Sequence, residues 1–295
     1  MQESSEPGTW QFAYPVSFPA TRHRTEQESE HLNRIFYFTG TGNSLAISKA
    51  LAEGLEDTHV ESIASAGMSP SISGAERIGL VFPVFGWGMP RMAVGFAKAL
   101  RPSSDQYVFA VATCAGSQAT TLKQLRKILR SNGSDLNAGF AVRGDFQIQV
   151  PGAGDIPIIR LMERLCRNSM PPFARDRIAE IVGTAAGKRP HAPETSTPMA
   201  NALGSMIYGV AVRSFMTADR GYSVTDACVS CGICAQVCPR ENVTLENGRP
   251  TWHQDCELCY ACMAWCPKGA ILYRDGAPEE PTHHPDVSLN EVQLR

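Results

Sequence analysis

Eight of the chain's ten cysteines fall into two runs of identical spacing. The first places Cys228, Cys231, Cys234 and Cys238 ahead of Pro239, and the second places Cys256, Cys259, Cys262 and Cys266 ahead of Pro267. Thiolate sulfur is the ligand that soft iron clusters prefer, and this C-x2-C-x2-C-x3-C-P spacing is the bacterial pattern that binds a 4Fe-4S cube. Three ligands come from one turn, and the cysteine before the proline serves the other cluster. Cys228, Cys231, Cys234 and Cys266 are therefore expected to hold one 4Fe-4S cluster, and Cys256, Cys259, Cys262 and Cys238 a second. Structural zinc calls for paired C-x-x-C units and not for this run twice over. Disulfides suit an exported chain, and no export signal is visible.

A second group of residues could hold an anion. The run Arg34-Ile35-Phe36-Tyr37-Phe38 leads directly into Thr39-Gly40-Thr41-Gly42-Asn43-Ser44, which reads as strand, tight loop and helix start. Gly40 and Gly42 let the backbone approach a ligand. The hydroxyls of Thr39, Thr41 and Ser44, the Asn43 amide and the backbone N–H groups can donate to a phosphate. A P-loop would need Gly-Lys-Ser/Thr at the loop's end, and a dinucleotide fingerprint would need glycine where Leu45 stands.

Two further loops have the composition of a site for a flat ring. Phe85, Gly86, Trp87 and Gly88 combine aromatic side chains with bare backbone, and Thr113, Cys114, Ala115, Gly116 and Ser117 form a small polar stretch. Either aromatic could instead pack on the core, and Cys114 suits a packing role.

Short apolar runs at Arg34–Phe38, His59–Ile63, Arg77–Pro83, Tyr107–Thr113 and Ala138–Val142 would have to position these residues. Helical patterns at Ser44–Leu55, Met92–Leu100 and Ala119–Leu129 separate them. This alternation predicts an α/β fold, a doubly wound parallel sheet of five strands. Its ligand would sit at the carboxyl ends of the strands, where all three loops fall. Helical periodicity returns in Ile158–Leu165, Ala174–Ala185 and Met199–Phe215, interrupted by Pro171-Pro172 and by the stretch from Pro190 to Pro198. These read as a closing helix, a linker and a helix packed against one or both domains. Past the cysteine runs, Val243-Thr244-Leu245 and Ile271-Leu272-Tyr273 repeat loosely, and Asn247-Gly248 predicts a hairpin turn.

The loop Phe38-Thr39-Gly40-Thr41-Gly42-Asn43-Ser44 resembles the FMN phosphate loop of flavodoxins, and Pro83 to Pro90 resembles their ring-stacking loop. With the cysteine runs, the chain resembles the flavodoxin-ferredoxin fusion proteins, also called EFR-type ferredoxins. The resemblance covers roughly residues 34–273. It implies FMN on a flavodoxin-like domain, with Thr39 to Ser44 on its phosphate and Phe85 to Gly88 and Thr113 to Ser117 near its ring. It assigns no role to Gly144 to Asp155. The expected organisation is a polar tail (1–33), a flavodoxin-like FMN domain (34–155), a helical connecting region (156–220), a small α+β two-cluster ferredoxin domain (221–275) and a C-terminal tail (276–295).

Composition agrees with an ordinary globular chain: 43% apolar, 19% charged, with a formal net charge of -2. No basic excess points to nucleic acid or an anionic membrane. The N-terminal residues are polar and carry Pro7, Pro15 and Pro19. Met199 to Met216 contains Asn201, Gly204, Ser205 and Arg213, which suits a packed helix better than a membrane span. The cytoplasm, where thiols stay reduced, is the expected compartment. Cys166 reads as a buried apolar residue and His253 as a surface residue. No catalytic triad or carboxylate pair stands out, so the chemistry is expected to come from the cofactors. The sequence thus leads to an electron-transfer protein of anaerobic metabolism that works with redox partner proteins. An FMN-dependent reductase, an oxidoreductase fed by its own clusters and acting on a small-molecule substrate, is the alternative.

Overall fold

The structure, a computed structural model, describes residues 32–67, 70–114, 117–143, 175–278 and 282–293. Its larger half is built from β1 (Leu32–Tyr37), α1 (Asn43–Gly54), β2 (Thr58–Ser62), α2 (Ile63–Ala66), β3 (Ala75–Pro83), α3 (Arg91–Ala99), β4 (Tyr107–Cys114), α4 (Thr121–Ser131) and β5 (Ala138–Arg143). The five strands form one parallel sheet in the order β2-β1-β3-β4-β5. Every residue of β4 is buried, as expected for a central strand covered on both faces.

Alternation of side chains divides the core into two layers. Ile35, Val81, Phe109, Val111 and Phe140 face Leu45, Ile47 and Leu51 of α1 and Ile181 and Ala185 of α5 (Arg175–Ala186). Phe36, Phe38, Leu80, Phe82 and Val108 face Phe96 of α3 and Leu122, Leu125 and Leu129 of α4. Gly79 is required within this packing: a Cβ there would lie 2.6 Å from the Phe109 ring.

The proline-rich stretch expected as a linker runs along β5. The His191 amide donates to the Asn137 carbonyl (2.9 Å), the Glu194 amide donates to the Gly139 carbonyl (3.1 Å), and Ala138 and His191 form a parallel bridge. The Glu194 carboxylate accepts from the Ala141 amide (2.7 Å) and from Arg177 of α5 (2.6 Å). A sheet edge that would otherwise expose its backbone is thereby covered. The chain then enters α6 (Pro198–Phe215), whose first turn is capped by the Thr197 hydroxyl accepting from the Ala200 amide.

The smaller half contains β6 (Tyr222–Val224), α7 (Ile233–Gln236), β7 (Val243–Glu246), β8 (Arg249–Trp252), α8 (Ala261–Ala264) and β9 (Ile271–Tyr273). β7 and β8 form the expected hairpin, with Asn247 (φ 51°) and Gly248 (φ 78°) both left-handed at its turn. β9 pairs with β6, a three-residue strand the sequence did not reveal. Tyr222 stacks on Trp252 at 5.2 Å between ring centroids and closes a small core around the cysteines. Residues 282–293, which the sequence placed in a tail, are docked on α1 and end in α9 (Leu289–Val292). Lys49 pairs with Glu291 (2.7 Å), and Val287 and Val292 are buried against the α1 side of the core.

Candidate electron-transfer site

The eight run cysteines line two separate hollows. One is lined by Cys228, Cys231, Cys234 and Cys266 and the other by Cys238, Cys256, Cys259 and Cys262. Each hollow thus takes three cysteines from one run and one from the other. Among the described residues no three His, Cys, Asp or Glu side chains converge as they would on a single metal ion. Four sulfurs set around a hollow suit a cube, in which each iron takes one thiolate.

Local backbone geometry builds these cages. Gly232 and Tyr260 occupy the same place in the two runs, both left-handed (φ 79° and 60°), and each starts the one-turn helix that carries the third cysteine inward. Amides from the following residues point at sulfur: Asn242 to Cys238 (3.3 Å), Leu258 to Cys256 (3.2 Å) and Ala270 to Cys266 (3.3 Å). Burial pushes the Cys256 thiol up to about 12 and the Cys234 thiol up to about 11. Cys259 and Cys262 are also raised, first by burial and then by neighbouring cysteines. Such thiols keep their protons unless a metal charge takes the place of the proton.

The two cages differ in their surroundings. Cys231 is exposed and its neighbour Val229 is 55% exposed, whereas the second cage lies against the sheet domain. Cys259 packs on both layers of the sheet core. Arg91 of α3 donates to the Cys256 carbonyl (2.9 Å) and pairs with Asp255 (2.9 Å) and Glu257 (3.3 Å).

The β1–α1 loop meets this cage directly. A Cβ on Gly40 would lie 2.1 Å from the carbonyl oxygen of Cys259, so only glycine permits the approach. The Trp265 indole donates to the Gly40 carbonyl (2.9 Å), and the His284 amide donates to the Thr41 carbonyl (2.8 Å). The Thr39 hydroxyl accepts from the Gly42 amide (3.1 Å), and buried Ser44 and Thr113 share a hydroxyl hydrogen bond (3.2 Å) that joins the first and third candidate loops.

The donor set of the loop fits an anion. α1 starts at left-handed Gly42 (φ 105°) with no side-chain cap, and among the described residues the amides of Thr39, Gly40 and Thr41 have no acceptor. A largely buried helix start with free donors is a ready anion site.

The aromatic loop forms a tight turn. Phe85 and Gly88 exchange backbone hydrogen bonds (2.9 and 3.1 Å) around left-handed Gly86 and Trp87, and Phe85 meets Phe38 edge-on at 6.0 Å. α6 covers this turn: Tyr208 lies against Gly88 and donates to the Met89 carbonyl (2.7 Å), Ala211 and Phe215 lie against Gly86, and Gly204 lies against Trp87. In the third loop, Cys114 is buried at the end of β4 and Ser117 shares a hydrogen bond with Ser196 (2.8 Å). Ala115 and Gly116 lie outside the described residues, as do Gly144 to Asp155, the Ile158–Leu165 helix and Cys166. His253 is exposed, as expected.

Residues 227–271 match the 4Fe-4S dicluster domain family. Eight cysteines in such a domain imply two clusters. The strand order 2-1-3-4-5 is that of the flavodoxin-like fold, so the chain joins a flavodoxin-like domain to a 4Fe-4S dicluster domain. No curated protein matches the chain. Similar solved structures include the rubredoxin oxygen:oxidoreductase of the anaerobe Desulfovibrio gigas, at 20% identity and a TM-score of 0.33. That match covers 48% of this chain and 37% of the other, so this chain spans well under half of that protein. A flavodoxin of Streptococcus pneumoniae TIGR4 matches at 15% identity and a TM-score of 0.31, covering 47% of this chain and 98% of the flavodoxin. Among the described residues no helix is long and apolar enough to cross a membrane.

Sequence reasoning missed Trp265, Glu257 and the docked residues 282–293. Trp265 sits beside a cysteine in an apolar turn and Glu257 between two cysteines, and neither position carries a local pattern that names its partner across the domain boundary.

Proposed function

We propose that the chain is an electron-transfer flavo-iron-sulfur protein that carries two 4Fe-4S clusters and one FMN. Cys228, Cys231, Cys234 and Cys266 would hold the first cluster, and Cys238, Cys256, Cys259 and Cys262 the second. Thr39 to Ser44 would hold the FMN phosphate, with Phe85 to Gly88 and Thr113 to Ser117 beside the ring. Clusters pass single electrons, and a flavin exchanges one or two, so the pair converts between one-electron and two-electron traffic.

The observation that carries this reading is the contact of Cys259 with Gly40, which seats a four-cysteine cage on the loop suited to a phosphate. Two domains that merely shared a chain would not need a glycine at their contact. The protein's own residues leave the loop amides free and keep the two halves in register through Arg91, Glu257 and Trp265. Redox partner proteins are the proposed electron source and sink, in the cytoplasm. The exposed Cys231 suits oxygen-poor metabolism, since oxidants would reach that cage.

Anaerobic purification followed by iron, sulfide and flavin analysis tests the proposal. Roughly eight irons and one FMN per chain are expected. Bound zinc in the cysteine runs, or protein that takes up iron but no flavin, would overturn it.

A further inference from the structure

Both cages are lined by residues of the smaller half, but they differ in exposure and in their contacts with the sheet domain. The second touches the sheet domain at three points: Cys259 at Gly40, the Cys256 carbonyl at Arg91, and Glu257, whose carboxylate accepts from the Met92 amide at 3.0 Å. The first is lined only by residues 228–234, Leu245, Pro250, Cys266 to Lys268, Ala270 and Ile271, all within the smaller half. Its rim is open at Val229, Cys231 and Leu245.

Trp265 connects this arrangement to the loop. It precedes Cys266, which lines the first cage, and follows the short helix bearing Cys262, which lines the second. The indole is 5% exposed, stacks on His283 at 4.0 Å between centroids and spends its only donor on Gly40. One side chain rooted between ligands of both cages is therefore fixed to the phosphate-type loop. An indole has many apolar ways to pack, but a buried N–H accepts few positions.

From this geometry we infer that the cages act in series: the first is the outer port for a one-electron protein partner, the second, whose Cys259 meets Gly40, is the junction to the flavin loop, and Trp265 is the positioning residue that holds that junction. Each passage in the inward direction oxidises the partner by one electron and reduces the flavin by one. Two passages complete a two-electron reduction, with protons taken from water, and the outward direction reverses each step. The inference rests on the FMN reading above and adds an order to it.

The test uses the anaerobically purified full chain and the 31P NMR line of its bound FMN, because a reduced, paramagnetic cluster broadens the line of a phosphorus close to it. In the unmodified protein, reduction with dithionite should broaden the line. Cys231→Ser, which damages the outer cage, should leave that broadening, whereas Cys262→Ser, which damages the inner cage, should abolish it. The opposite pattern, or equal loss in both, would overturn the series order. Trp265→Phe keeps the ring and removes the donor: with iron and FMN contents unchanged, it should lose part of the broadening and slow the flash-induced transfer from cluster to flavin. Unchanged broadening and rate would remove Trp265 from the scheme. A protein with no FMN phosphorus line at all would instead refute the cofactor reading, and the order would fall with it.

Discussion

Glu257 caps a helix that belongs to the other domain. Its carboxylate accepts from the Met92 amide at 3.0 Å in the first turn of α3, where Pro90 supplies no side-chain cap, and it pairs with Arg91 at 3.3 Å. The side chain is 2% exposed, and burial raises its pKa against the pull of Arg91 and the amide. Glu257→Ala leaves the largely buried Arg91 with only Asp255 and the Cys256 carbonyl, and should cost about 3 kcal/mol of domain docking. Hydrogen exchange at the α3 first turn should accelerate accordingly, while exchange in β4 stays slow. Equal acceleration in both would show a general loss of stability and not an undocking.

Gly40→Ala tests the same junction from the other side. The added methyl group would lie 2.1 Å from the Cys259 carbonyl oxygen, a backbone atom that can move only with its cage. The overpacking should cost roughly 1–3 kcal/mol. Limited proteolysis should then cut between the halves while each remains folded, and an unchanged digestion pattern would mean that the contact is looser than described.

The mixed lining of the cages predicts an asymmetric response to cysteine loss. Cys238 belongs to the first run but lines the hollow of Cys256, Cys259 and Cys262. Cys238→Ala should therefore damage the second cluster and leave the first, as read by EPR of the reduced protein. Selective loss of the first cluster would refute the crossed arrangement.

The docked C-terminal residues carry a pH signature. Hydrogen bonding to Lys49, followed by bonds to Ser288, lowers the Glu291 carboxyl from 4.5 to about 2. A carboxyl depressed in the folded state stabilises fully above its ordinary value and loses that contribution as the pH falls from there toward the folded value. Both partners are more than a third exposed, so the pair is worth less than about 1 kcal/mol. Burial disfavours the charged form of His284 in the same segment, so proteolytic release of residues 282–293 should already climb as the pH falls below about 6.5, and the Glu291 contribution should appear as a further rise below about 4.5. Lys49→Ala should flatten that rise, and an unaltered rise would assign the effect to other groups.

The sheet and the cages were legible because local chemistry writes them into short stretches. Continuous apolar runs mark strands buried on both faces, the spacing of Cys228 to Cys238 marks a ligand turn, and Asn247-Gly248 marks a hairpin. What escaped depends on distant partners. Tyr222–Val224 is a strand only because Ile271–Tyr273 lies beside it, and Pro190 to Pro198 carries the prolines of a linker while lying along β5. Residues 282–293 have few apolar side chains, and they dock through backbone contacts at Thr41, burial of two valines and one ion pair. Trp265 and Glu257 gain their meaning from the meeting of two domains, which no local periodicity encodes.

The shared lining of the hollows also sets a timetable for biogenesis. A chain emerging from the ribosome has finished its five-stranded sheet long before it carries four cysteines for either hollow. The inner hollow gains its last cysteine at Cys262 and the outer one only at Cys266. Iron delivered earlier would meet incomplete ligand sets, so loading of both hollows has to follow the synthesis of Cys266, with the sheet domain already available as a template.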